Sequence, residues 1–181
     1  MINQKTEGYL YLVGFGLCIP AANWLIGNVG TTCVPNGPCL IPVAPGISAP
    51  SGVLMIGLAL VLRDLVQRHL GVKWAVAAIL VGAALSGFVA PPALVVASAT
   101  AFLLSEMADL GVYTPLQKKG LVLAVFASSV VGLIIDSAIF LYLAFGNLDF
   151  ILGQVIGKSW MVLLALPFIY WMRNRKVSMA S

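Results

Sequence analysis

Charged side chains are scarce in this chain. Asp, Glu, Lys and Arg make up 9% of its 181 residues, where an ordinary soluble domain carries about 25%. With 61% of residues hydrophobic and a mean hydropathy of +1.04, too little polar surface remains to coat a globule in water, which excludes a soluble enzyme. Histidine occurs once, at His69, so a buried Ser–His or Cys–His pair is not expected, and metal-ligand spacing of His and Cys is absent. No Gly-rich phosphate loop occurs, so the chain does not itself hydrolyse ATP. Asp109 and Asp136 lack the Gly-flanked setting of an intramembrane aspartyl protease. The expectation is a protein that is not an enzyme and carries no cofactor or metal.

What the chain has instead is long apolar runs. A bilayer core about 30 Å thick takes about 20 helical residues per crossing, so six crossings use roughly 120 residues and leave short loops. Apolar stretches lie at residues 8–26, 50–69, 73–89, 92–110, 121–145 and 150–172. They predict an all-α membrane protein, a single six-helix domain over residues 1–181. The first stretch is too long, and too weakly basic at Lys5, for a cleaved signal peptide. Arg68, His69 and Lys73, then Lys118 and Lys119, then Arg173, Arg175 and Lys176 fall in alternate connections and at the end of the last helix. The positive-inside rule places all of these in the cytoplasm, together with both termini. The segment 27–49, the Ala90-Pro91 connection and the segment 146–152 carry no Lys or Arg and face outward. This reading puts the chain in a bacterial plasma membrane, with the bilayer as its surroundings. The net charge of +4 sets topology and gives no sign of nucleic-acid binding, because the basic residues form no stripe with interleaved aromatics. A homodimer is left open.

The outward connection between the first two helices is apolar as well as uncharged. Prolines at 42, 45 and 50 bar a continuous helix there, and the apolar content argues for a segment folded back over the bundle, either as a lid or as a plug. Cys33 and Cys39 lie on the oxidising side with five residues between them, so a small disulfide loop and two free thiols both remain open. Cys18 lies inside the first helix and packs.

A charged side chain within a span costs several kcal/mol unless it is paired or solvated. Arg63 and Asp64 fall in the cytoplasmic half of the second helix, Glu106 and Asp109 in the fourth, Asp136 near the middle of the fifth and Lys158 in the outer third of the sixth. Starting the second helix at Pro50 and the fourth at Pro92 gives Asp64 and Glu106 the same offset. Ala124, Ser128, Gly132 and Asp136 recur every fourth residue, as do Ala97, Ala101, Ser105 and Asp109, while Ala78, Gly82 and Ser86 give the third helix a similar seam. Such ridges pack against neighbouring helices, so the carboxylates point inward. Arg63 and Asp64, with Asp109 and Lys158, are read as coupling or ion-pair residues. A satisfied clamp of Arg63 with Glu106 or Asp109 is the alternative, and Lys158 has the further option of snorkelling outward. Asp136 has no cation near it in sequence and is read as a ligand or proton group.

The chain resembles the VUT, or vitamin uptake transporter, family, also described as queuosine precursor transporters. The resemblance rests on Asn23-Trp24-Leu-Ile-Gly-Asn28, on Pro45-Gly-Ile-Ser-Ala-Pro-Ser-Gly52 and on Gly57-Leu-Ala-Leu-Val-Leu-Arg-Asp-Leu-Val-Gln67. It continues through Ala97-Ser-Ala-Thr-Ala-Phe-Leu-Leu-Ser-Glu-Met-Ala-Asp-Leu-Gly-Val-Tyr-Thr-Pro115 and Val131-Gly-Leu-Ile-Ile-Asp-Ser137. It implies a six-helix importer of 7-deazaguanine precursors such as 7-cyano-7-deazaguanine, a nucleobase-like solute. Such a base offers N1–H and an exocyclic amine side by side, which one carboxylate accepts in a fork. Glu106 and Asp136 are the candidates for it. Trp24, Phe102 and Trp160 are candidates for the flat slot, where stacking is worth about 1–3 kcal/mol, and Asn23 for the O6 carbonyl. At least one of Glu106 and Asp136 is expected also to exchange a proton, making the carrier a symporter. A binding component that needs a separate energising complex is the alternative.

Overall fold

The computed structural model describes residues 4–35, 37–90 and 94–178, the last seven of these by backbone alone. Six helices carry the chain: α1 Gln4–Asn28, α2 Val53–Leu70, α3 Val72–Val89, α4 Val95–Leu116, α5 Leu121–Phe145 and α6 Ile151–Ser178. Helix α4 runs past the predicted end at residue 110 because Asp109 is buried and paired, so its charge marks no interface. The predicted start of that helix at Pro92 lies outside the described residues, as do the side chains of Arg173, Arg175 and Lys176.

Short connections force neighbours antiparallel. Between α2 and α3 a single residue turns the chain, Gly71 at φ 92°, where a side chain would be strained. Its N–H caps α2 on the Gln67 carbonyl. Five helices, α1 and α3 to α6, are long and apolar enough to cross a membrane. Helix α2 carries Arg63, Asp64 and Arg68 within 18 residues, and it sits in the middle, packed against the other five. Leu60, Val61 and Leu65 join Tyr113, Leu133 and Ile169 in one apolar cluster, while Ala59 joins Phe15, Ile19 and Phe102 in another. Arg63 and Asp64 are therefore shielded by protein, while Arg68 is exposed near the helix end.

The small-residue ridges lie where their spacing puts them. Ala97, Ala101, Ser105 and Asp109 are buried, and so are Ala124, Ser128, Gly132 and Asp136. A β-carbon on Gly132 would meet Asp109 Oδ2 at 3.0 Å and Leu60 at 2.9 Å, so its lack of a side chain sets how closely α5 approaches α2 and α4. Outside, the order is inverted: Phe88 is 92% exposed, and Val96, Val81 and Leu164 are each exposed over more than half of their surface. Apolar rim and polar interior are what a bilayer solvent selects.

The fold is not purely helical. The segment after α1 forms a three-stranded antiparallel sheet of β1 Thr32–Cys33, β2 Cys39–Ala44 and β3 Ile47–Pro50. Prolines at 42 and 50 deny the backbone a helix, and alternation in Cys39–Ala44 lets one side pack. Gly46, at φ 72°, turns β2 into β3. Pro50 thus closes a strand, and α2 begins at Val53. Cys33 and Cys39 face one another across β1 and β2 and are joined in a disulfide, while Cys18 is a free, buried thiol. The sheet lies against α6, where Gly153 leaves room for the Ser48 carbonyl and Trp160 Nε1 donates to the Val43 carbonyl at 2.9 Å.

Candidate functional site

Polar side chains occupy the bundle interior in two layers. The layer nearer the sheet centres on Asp136 of α5. Lys158 of α6 reaches it with Nζ 2.5 Å from Oδ2, and the same ammonium donates to Ser137 Oγ and Gln154 Oε1, each at 2.8 Å. All three donors of the ammonium are thereby used. Ser105 of α4 approaches Asp136 Oδ1 at 3.4 Å. Lys158 is 1% exposed, so it does not snorkel, and Asp136 is not the lone carboxylate that sequence spacing suggests. Their separation of 22 positions conceals a partner that only α5–α6 packing supplies. At this level α2 and α6 nearly touch, since a β-carbon on Gly57 would fall 2.5 Å from the Lys158 carbonyl.

Asp136 and Lys158 form part of the wall of a cavity of about 80 Å³, several times the ~10–15 Å³ that one ordered water needs. It lies at the sheet end of the bundle. Asn23, Phe102 and Asp136, named from sequence, line it, and with them stand Ser86, Ser98, Phe140 and Gln154, which sequence reasoning missed. Gln154 lies one turn before Lys158, a spacing that would have found it had Lys158 been read as inward-facing. Asn23, on the cavity wall, donates through Nδ2 to the Ile19 carbonyl at 3.0 Å.

Two aromatic assignments are corrected. Trp24 is more than half exposed on the outer face and Trp160 is half exposed, tied to the sheet. Each helical residue turns about 100° from the last, so the neighbour of an inward Asn23 points elsewhere, and so does a residue two places beyond Lys158. Phe140, one turn after Asp136, stands with Phe102 in their place.

The second layer lies toward the opposite end and centres on Arg63 of α2. Its Nε donates to Glu106 Oε2 at 3.0 Å, Nη2 binds Asp109 Oδ1, and Nη1 lies 2.8 Å from Asp64 Oδ1. Ser128 donates to Asp64 Oδ2 at 2.9 Å, and Gln67 links Arg63 to Thr114. Every charged member is at most 2% exposed. Glu106 is therefore held in a clamp and does not line the cavity, which corrects its assignment to the base edge: the Arg63 guanidinium faces it across α2 and α4. Removing one partner from such a buried network costs about 3–5 kcal/mol. Among the described residues no group of His, Cys, Asp and Glu is arranged to hold a metal ion.

An apolar rim, a charged interior and five helices long and apolar enough to cross a bilayer define a multi-pass membrane protein. Residues 86–172 match the family model described as "Putative vitamin uptake transporter". The match covers just under half of the chain and takes in α4, α5 and most of α6, and with them Phe102, Glu106, Asp109, Asp136 and Lys158, so this half of the bundle is similar to the vitamin uptake transporter family. No curated protein and no solved structure matches the chain.

Proposed function

We propose that the chain imports a queuosine precursor, 7-cyano-7-deazaguanine or a related 7-deazaguanine, across the bacterial inner membrane as a secondary, proton-coupled carrier. It crosses six times with both termini in the cytoplasm, α2 being the sixth crossing, sheltered by the other five. On this reading it transforms no substrate chemically.

The observation that carries the reading is the placement of Asp136. Its carboxylate borders the cavity at the end whose connections lack Lys and Arg, the end that faces outward under the positive-inside rule. Oδ2 is held by Lys158, while Oδ1 has only the long contact from Ser105. A base bringing N1–H and an amine takes Oδ1 first and draws Oδ2 away from Lys158. Asn23 meets its carbonyl, and Phe102 and Phe140 flank the ring. A fused two-ring base needs more space than the cavity offers, so entry widens it, as alternating access requires.

The test is uptake of labelled precursor by cells unable to make it. The wild-type chain is expected to support uptake and Asp136→Asn to abolish it; unaltered uptake by that variant removes Asp136 from the mechanism.

A second reading, a binding component that docks on a separate energising complex, draws on a groove of about 240 Å³ between α1 and α3, lined by small residues such as Gly16, Ala77 and Gly82. Transport by the purified chain alone in liposomes decides against it.

A further inference from the structure

The Arg63 layer contains more negative than positive charge. One guanidinium meets three carboxyl groups, none more than 2% exposed. Fully ionised, the layer would hold two uncompensated negative charges away from water, which an interior does not tolerate. The hydrogen bonding shows where the deficit falls. Asp109 Oδ2 has no donor, and Asp64 Oδ1, although close to Arg63 Nη1, has no aligned one. Of the nearby donors, Ser128 is committed to Asp64 Oδ2 and the Gln67 amide to Thr114, while the buried hydroxyls of Tyr113 and Ser129 make no hydrogen bond to either oxygen. The two carboxyl groups are held on the two terminal nitrogens of one guanidinium, Asp64 at Nη1 and Asp109 at Nη2 of Arg63, which sets them side by side. A single hydrogen held by this pair supplies a donor that the orphaned oxygens lack and halves the excess charge.

We propose that Asp64 and Asp109 share one proton, and that this pair carries the proton of coupled uptake. The coupling half rests on the importer reading above. Taking up a proton turns the pair from two carboxylates into one carboxylate and one carboxylic acid, and release reverses it; only an O–H bond forms or breaks. Ser105, in contact with Asp136, sits one turn before Asp109 on the same face of α4, which joins the cavity to the pair. Gln67 and Thr114 continue the polar path toward the other end.

The charged and titratable surroundings are few. From α2 come Arg63 and the exposed Arg68, and from α4 Glu106 and Tyr113. Helix α5 contributes only the hydroxyls of Ser128 and Ser129. Glu7 of α1 pairs with His69 of α2 near the inner end, where Tyr11 of α1 packs on His69, and Lys158 of α6 is engaged by Asp136.

The test is infrared difference spectroscopy of the purified full chain in lipid, in light and heavy water. A carboxylic-acid carbonyl band that shifts on deuteration is expected in the wild type and in Asp136→Asn, and is expected to vanish in Asp64→Asn and Asp109→Asn. Asp109→Glu keeps a carboxyl group and retains the band, so the assignment stands on Asp64→Asn and Asp109→Glu should Asp109→Asn fail to fold. In proteoliposomes under an imposed pH gradient, accumulation of radiolabelled 7-cyano-7-deazaguanine by Asp109→Asn falls about tenfold or more, within the usual range of a coupling between sites, while exchange without a gradient persists. A wild type with no such band, or a band surviving both Asn variants, overturns the shared proton. Wild-type accumulation by Asp109→Asn overturns its role in coupling. Wild-type vesicles that neither accumulate nor exchange the base contradict the importer reading, and the infrared assignment is unaffected.

Discussion

Lys158 and Asp136 meet across α5 and α6 with 2.5 Å between Nζ and Oδ2, on the wall of the cavity and beside the Gly57 contact that brings α2 against the Lys158 backbone. On the proposed function, a ligand that takes the carboxylate competes with the ammonium where α2, α5 and α6 meet. On that reading, binding and helix movement are joined at one point.

Lys158→Met tests that competition. It leaves Asp136 without its counter-ion, a change expected to cost about 3–5 kcal/mol of stability, read as a lower melting temperature in detergent. The double variant Asp136→Asn, Lys158→Met removes both charges and is expected to recover most of that loss while still failing to take up substrate. Recovery of uptake along with stability would mean that the pair is only structural.

Arg63 tolerates no substitute. Arg63→Lys keeps the charge but loses the planar fork that reaches Glu106, Asp109 and Asp64 together. Arg63→Leu leaves three buried carboxyl groups with no cation and is expected to cost about 3–5 kcal/mol. Both are read as loss of monodisperse protein on size-exclusion chromatography, with the Leu variant worse. A Leu variant as stable as wild type would contradict the clamp.

Gly57 and Gly132 hold helices at close range. Gly57→Ala drives a β-carbon into the Lys158 carbonyl and Gly132→Ala drives one toward Asp109 and Leu60; each is expected to destabilise by about 1–3 kcal/mol through overpacking. Gly16, with open space around its missing β-carbon, is the control, and Gly16→Ala should leave the melting temperature unchanged or raised.

The Cys33–Cys39 disulfide closes a short loop on the sheet. Reduction is expected to lower stability by about 2 kcal/mol, since short loops gain least from closure, and to make two further thiols reactive toward maleimide. Cys18, buried among α1, α2 and α4 side chains, should react only after unfolding. Mass spectrometry counts the labels.

Helix number, the inward ridges on α4 and α5 and the burial of Arg63, Asp64, Asp109 and Asp136 were legible because period and charge are local signals. Partners were not. That Lys158 belongs to Asp136 and that Glu106 belongs to Arg63 depends on which helices lie side by side, information that no spacing holds. The sheet was hidden for another reason: its prolines say only that a helix is barred, and Leu40, Pro42 and Ala49 find their register from each other. Trp24 and Trp160 misled because an aromatic suits a membrane rim as well as a base slot.

The most direct measurement is the melting temperature of the purified chain with and without 7-cyano-7-deazaguanine, for wild type and Asp136→Asn. At a hundredfold excess over its dissociation constant, a ligand bound only by the folded state adds about 2.7 kcal/mol. A clear upward shift in the wild type, absent in the variant, is the expected result. An equal shift in both proteins, or none in the wild type at saturating base, would contradict the assignment of this cavity to the substrate.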